Sequence, residues 1–211
     1  MRIAPLETPR LRVRQLAPAD WPAVHAYASD PDLMRFIPEG PLTEEQARAF
    51  VAENAGDDAR AFAVVLRSGG ELIGHMLFHP WFGPRTFEIG WVLDRRHHGQ
   101  GYATEAARAL LRHGFETLGL HRVIATCQPE NVASWRVMEK LGMRREAHFR
   151  KCLHRGGATW WDEYFYALLE EEWPAATTPP ARYAGSRASD GRCTANGVPE
   201  SGPTNLDSSL A

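Results

Sequence analysis

The chain has 211 residues, room for one well-buried domain and too few for two full ones. Its 44% hydrophobic and 24% charged residues fall in the ordinary globular range, which argues against a membrane-embedded or wholly disordered chain. A net charge of -2 with no block of like charge offers no basic face, so no nucleic-acid partner is expected. No apolar stretch approaches the roughly 20 residues of a bilayer span. The opening MRIAPLETPRLRVRQL has no secretory apolar region, so no membrane partner and cytoplasmic residence are expected. Cys127, Cys152 and Cys193 are an odd number without metal-type spacing, expected to be reduced thiols.

In chain order, RLRVRQL alternates apolar and basic residues and predicts a strand. PADWPAVHAYASD opens on Pro and predicts a helix. TEEQARAFVAENA carries Thr43 followed by Glu45 and Gln46, the signature of a second, capped helix. AFAVVLR and ELIGHMLFHPW, joined by SGGE, predict a hairpin, and RTFEIGWVL a third strand. In GYATEAARALLRHGFETLG, Ala103, Ala107, Leu110, Leu111, Gly114 and Leu118 form one apolar helical face. RVIATC predicts a strand, NVASWRVMEKLG a last helix, and MRREAHF and WWDEYFYALL two closing strands.

Strand, crossover helix and strand make a right-handed βαβ unit, whereas the hairpins demand antiparallel pairing. The expected fold is α/β of the mixed α+β kind: a central, mostly antiparallel sheet with helices on both faces, spanning residues 1–173. Beyond Trp173, Pro, Gly, Ser, Thr and Ala dominate and leave too little apolar surface to offset ordering, so residues 174–211 are expected to be a disordered tail.

The densest chemical signal is RRHHGQGYATEA, between a predicted strand and the start of the long helix. Amides at a helix start lack intrahelical acceptors and carry the positive end of the macrodipole, a setting for a pyrophosphate. Gly99 and Gly101 would let the backbone close on phosphate oxygens, although a glycine turn without ligand fits the same residues. A Rossmann fingerprint is excluded because Thr104 occupies the third glycine position, and no P-loop is present.

Arg96-His97-His98-Gly99-Gln100-Gly101 resembles the acetyl-CoA loop of the GNAT acetyltransferases. The flanking EIGWVL and GYATEAARALL, then NVASWRVMEKLGM, WWDEYFYALLEEEW and LETPRLRVRQL, are similar to the subgroup containing the ribosomal-protein N-terminal acetyltransferases RimJ and RimL. The resemblance covers about residues 6–173 and implies a GNAT fold and acetyl transfer from acetyl-CoA to a primary amine. It places the CoA pyrophosphate on the amides of Arg96, His97, His98, Gly99, Gln100, Gly101, Tyr102, Ala103 and Thr104, with the Arg96 side chain adding a contact. It brings Asn131 and Ser134 to the pantetheine arm and the thioester sulfur, and the strand residues Trp91, Val92 and Leu93 to the acyl end. Asn131 also suits a plain N-cap. Many members carry a tyrosine as general acid four residues before the glycine of the last helix. Met138 holds that position here, which leaves Ser134, or a water it holds, as the substitute.

Glu88 is the candidate base. Phe87, Ile89, Trp91 and Leu93 alternate onto one apolar strand face, which leaves Glu88, Gly90 and Val92 on the other. An ammonium must lose a proton before its nitrogen can attack a thioester, and Glu88 could take it directly or through water. A structural ion pair or a substrate-binding role suits the same carboxylate. The expected reaction is direct attack in a ternary complex, with a strand N–H near Trp91 or Val92 stabilising the oxyanion. Neither a metal nor a covalent enzyme intermediate is called for. The acceptor is open between a protein N-terminus, an aminoglycoside, a polyamine and an amino acid. A homodimer fits related enzymes, though no sequence feature demands one. The competing reading is a non-catalytic acyl-CoA sensor, which would need the phosphate grip but not Glu88.

Overall fold

A computed structural model describes residues 1–173; the expected tail lies outside the described residues. The strands are β1 (Leu6–Glu7), β2 (Leu11–Gln15), β3 (Ala61–Leu66), β4 (Leu72–Pro80), β5 (Thr86–Leu93), β6 (Arg122–Cys127), β7 (Arg144–His154) and β8 (Trp160–Leu169). The main helices are α1 (Trp21–Ala28), α2 (Pro31–Met34), α3 (Glu44–Asn54), α4 (Tyr102–Arg112) and α5 (Val132–Lys140). All eight strands join one sheet in the order β1-β2-β3-β4-β5-β6-β8-β7. Only β5 and β6 pair in parallel, with α4 as their crossover, so the mixed, mostly antiparallel sheet is as expected.

Two apolar cores lie on opposite faces of this sheet. Val24, Tyr27 and Ala28 of α1 and Ala47 and Val51 of α3 pack with Ala61, Ala63 and Val92 on one face. Ala106, Ala107, Leu110 and Leu111 of α4 and Met138 of α5 pack with Ile73, Met76, Ile89 and Leu93 on the other. The two sets alternate along β5, as the pleat requires.

Two local features depart from the sequence reading. A four-residue helix, α2, precedes the capped one, held by the Asp30 carboxylate, which accepts from the amides of Asp32 and Leu33. The capped helix is therefore α3, where Thr43 and Gln46 exchange backbone-to-side-chain bonds of 3.2 and 2.8 Å. The long helical pattern is regular only to Arg112, and residues His113–Thr117 form a π-helical turn. Gly114 sits in that turn because a Cβ there would lie 2.9 Å from both Phe78 and Leu120.

The β5–β6 register positions the site. Thr86, Phe87 and Glu88 pair with Arg122, Val123 and Ile124, and beyond Glu88 the two strands part. β6 stays bonded to β8 as far as Cys127 opposite Tyr164, while β5 stays bonded to β4 as far as Leu93 opposite Gly74. The sheet is thus split by a wedge that begins at Glu88.

Candidate active site

A cavity of about 530 Å³ occupies the wedge, a size suited to a small-molecule site. Its lining comes from both faces of the sheet. Leu33, Phe36 and Ile37, on and after α2, close the α1/α3 side, whereas Tyr102 to Thr104 of α4 and Ser134 and Val137 of α5 close the other. Trp91, Val92 and Leu93 form the edge between them.

The parity of the β4–β5 ladder decides which β5 amides face this space. The Asp94 N–H donates to the Ile73 carbonyl and the Trp81 N–H to the Thr86 carbonyl, so even-numbered residues of this segment turn their polar groups toward β4. Odd-numbered residues therefore turn theirs toward β6, and once the strands have parted the Trp91 and Leu93 amides face the wedge without a strand partner. Of the two expected oxyanion donors this geometry selects Trp91, since the Val92 N–H belongs to the β4 ladder.

At the α4 end, Gly99 and Gly101 have φ values of +74° and +83°, a left-handed region that side chains disfavour. Gly101 is the N-cap of α4 and has no side chain to bond the first-turn amides, in contrast to Thr43 on α3 and Asn131 on α5. The amides of Tyr102, Ala103 and Thr104 are therefore open donors at the positive end of a helix. Arg136 and Lys140 line the cavity beside them and bring positive charge suited to a pyrophosphate and its neighbouring phosphate, while Arg95 lines it paired with Asp30 and Asp32. The His98 ring bonds the Leu93 carbonyl at 2.7 Å and ties the loop to the end of β5.

Two loop side chains are turned away from the cavity. The Arg96 guanidinium does not line the cavity; it is held by Asp94 at 2.6 Å and Glu71 at 3.4 Å, and Arg95 takes its place in the lining. Gln100 is likewise outside the lining: its carbonyl accepts from Arg10 at 2.9 Å, and its side-chain amide donates to the Arg96 carbonyl at 3.2 Å. Consecutive residues of a tight turn point to opposite sides, which separates Arg95 from Arg96.

Asn131 caps α5 by accepting the Ser134 N–H at 3.3 Å and also lines the cavity, so the cap and the contact coexist. Ser134 lies beside the Cys127 thiol at the end of β6. Burial pushes that thiol up to about 12, which removes it as a nucleophile near neutral pH. Met138 is buried against the α4-side core and supplies no acid.

Glu88 faces the α1/α3 side, as the alternation predicted. It lies at the foot of the wedge rather than in the cavity lining, about 10 Å along the strand from Trp91. A proton from an amine at Trp91 would therefore reach it through water. Glu88 has no arginine or lysine partner among the described residues; the one basic side chain near it is His79, with Nε2 3.9 Å away. Burial raises the Glu88 carboxyl above the ordinary carboxylate value, against the pull of His79 and reinforced by the charge of Glu163.

His148 and Trp160 do not line the cavity: His148 bonds Asp162 at 2.7 Å and Trp160 packs on His154. Among the described residues no cluster of three or more His, Cys, Asp or Glu could hold a metal ion, and no helix is long and apolar enough to cross a membrane. Sequence reasoning missed Arg136 and Lys140, although their spacing of four, together with Ala133 and Val137, marks a single face of α5.

The family described as acetyltransferase (GNAT) domain matches residues 10–144. The uncharacterized N-acetyltransferase YnaD of Bacillus subtilis (strain 168) is 54% identical over 168 residues, covering 80% of this chain and 98% of that protein. The crystal structure of a GNAT-family acetyltransferase from Bacillus anthracis superposes with a TM-score of 0.77 at 53% identity, covering 80% of this chain and 100% of that one. The ribosomal-protein-serine acetyltransferase of Escherichia coli (strain K12) is 32% identical over 109 residues, 50% of this chain and 60% of that protein.

Proposed function

Because this chain belongs to the GNAT acetyltransferase family and moves acetyl groups from acetyl-CoA to an amine, we propose that the transfer occurs by direct attack in the wedge between β5 and β6, with Glu88 as base. The observation that carries this reading is the partially desolvated Glu88 at the point where the strands part, without an arginine or lysine partner.

Acetyl-CoA lies with its pyrophosphate on the amides of residues 97–104 and its pantetheine arm between α4 and α5, past Asn131. Its thioester reaches the Trp91 amide. The amine enters from the α1/α3 side beneath Phe36 and Ile37 and loses its proton to Glu88 through water. Its lone pair then attacks the thioester carbon and the oxyanion forms against the Trp91 N–H; as the tetrahedral intermediate collapses the C–S bond breaks, and the second nitrogen proton passes through water to the departing thiolate, leaving a neutral amide and free CoA thiol. Ser134, already a neighbour of Cys127, is placed to donate to the departing sulfur. A thiolate is a competent leaving group near neutral pH, so Ser134 assists rather than limits.

We place the chain near the RimJ/RimL subgroup, a reading supported by the closing-strand sequence and by the match to the Escherichia coli ribosomal-protein-serine acetyltransferase. On that reading a peptide N-terminus is one form the acceptor takes.

The test is Glu88→Gln. The change should lower kcat about 10²- to 10⁴-fold, the usual contribution of a positioned base, and leave acetyl-CoA affinity within twofold. Turnover that survives the change would end the base assignment.

A further inference from the structure

Glu163 stands on the same side of the sheet as Glu88. Along β8, Tyr164 and Tyr166 pack toward the α4-side core, so Trp161, Glu163 and Phe165 face the opposite side. Their contacts agree: Trp161 meets Phe36 at 5.9 Å and Phe165 meets Trp81 at 5.5 Å. Cys127 pairs with Tyr164, so Glu163 is one position beyond that pair, level with Gln128 on β6. Glu88 is level with Ile124, so position 128 of β6 matches Val92 of parallel β5. Glu163 therefore lies on the α1/α3 side, one position past the last β6–β8 pair and outside the cavity lining itself, and its charge is felt at Glu88 at the foot of the wedge.

Among the described residues no arginine, lysine or histidine nitrogen comes within 4.0 Å of Glu163. The arginines nearby are engaged elsewhere. Arg155 stacks on Trp161 and donates to the carbonyls of Arg35 and Ile37, and Arg122 is paired with Glu146. Other partly buried carboxylates of the chain are matched: Asp20 by Arg14, Glu105 by Arg10, Asp94 by Arg96.

Charge balance then constrains the acceptor. A monoamine that delivers its proton to Glu88 leaves neutral, and Glu163 keeps a negative charge on the α1/α3 side with no counter-ion. Resting on the acetyl-transfer reading above, we propose that Glu163 is a specificity-determining residue that binds a second positive charge on the acceptor. The acceptor class is then a dication: an amine to be acetylated with an ammonium or guanidinium nearby, on a small diamine or beside a peptide N-terminus. Phe36, Trp161 and Phe165 supply aromatic surface beside that charge, which favours a cation over a neutral group.

The test compares wild type with Glu163→Gln on matched acceptors: an alkyl monoamine against the diamine of equal length, and a peptide with Ala second against one with Lys second. For the dicationic member of each pair, the change should raise KM about tenfold or more, with the KM for acetyl-CoA retained, when both enzymes are compared at a pH above the acid limb set by Glu88. The monocationic member should change less than twofold, and Glu163→Asp should recover part of the loss. Which pair responds identifies a small diamine or a peptide as the source. An equal effect on both members, or none, would overturn the charge-binding role. Wild-type enzyme that releases no CoA with any amine would instead remove the acetyl-transfer reading, and that outcome is visible before any variant is made.

Discussion

The burial that suits Glu88 to the proposed role of base also costs stability. The folded-state Glu88 carboxyl titrates above its unfolded value, so between those two values the folded chain holds more protons, and stability falls as pH rises through that window. At pH 7 the ionised form is the strained one. Glu88→Gln should therefore melt at a higher temperature than wild type while losing turnover, a combination that a structural ion-pair role would reverse. The acid limb of kcat/KM in wild type should lie above the ordinary carboxylate range, and in Glu88→Gln that limb should be absent. Cys127→Ala should keep most of its turnover, because a thiol pushed up to about 12 supplies almost no thiolate at neutral pH. Glu88 was legible because a carboxylate in the middle of an alternating apolar strand breaks a pattern. Arg96 was misread and Arg95 missed because adjacent residues in a tight turn are equivalent in sequence and opposite in space.

Among the elements, α4 matters most, since its N-terminus is the proposed seat of the phosphates and its face fills a core. Glu105 ties it to the turn between β1 and β2. The carboxylate accepts from the Thr8 hydroxyl at 2.6 Å, the Arg10 amide at 3.0 Å and the Arg10 side chain at 2.6 Å, and Arg10 in turn holds the Gln100 carbonyl. These bonds hold the Glu105 carboxyl below its ordinary value against the cost of burial. Its stabilisation is full above the unfolded value and is lost as pH falls through the folded one. Glu105→Ala should cost about 2 kcal/mol in urea denaturation at pH 7, with a smaller loss under acid conditions, and should weaken acetyl-CoA binding because the loop loses its anchor. α4 was readable from its apolar period. The four-residue α2, too short to carry a period, was not, and it supplies much of the acceptor-side cover.

Across the whole molecule, one feature links fold to function: a sheet whose two halves separate beyond Glu88. The element order and the parallel β5–β6 pair followed from the alternation of strands and helix, but the length of that pairing did not. Register ends depend on what fills the gap between strands, and periodicity holds no record of it. The α1/α3 half is held in part by a buried histidine. Burial lowers His75 to about 4, and Tyr27 bonds its Nδ1 at 2.7 Å. Because the unfolded histidine gains a proton near 6.5 and the folded one does not, stability should decline as pH drops from 6.5 to about 4 and then level off with respect to this group. In His75→Phe the decline across that window should be shallower, whatever the change does to the absolute melting temperature. The account as a whole stands on acetyl transfer in the wedge, and the most direct measurement is release of free CoA thiol from acetyl-CoA across a panel of amines. The account predicts release that depends on the acceptor and matches the acetylated amine one for one; tight acetyl-CoA binding without release for any amine would contradict it and leave a CoA-binding module with no transfer chemistry.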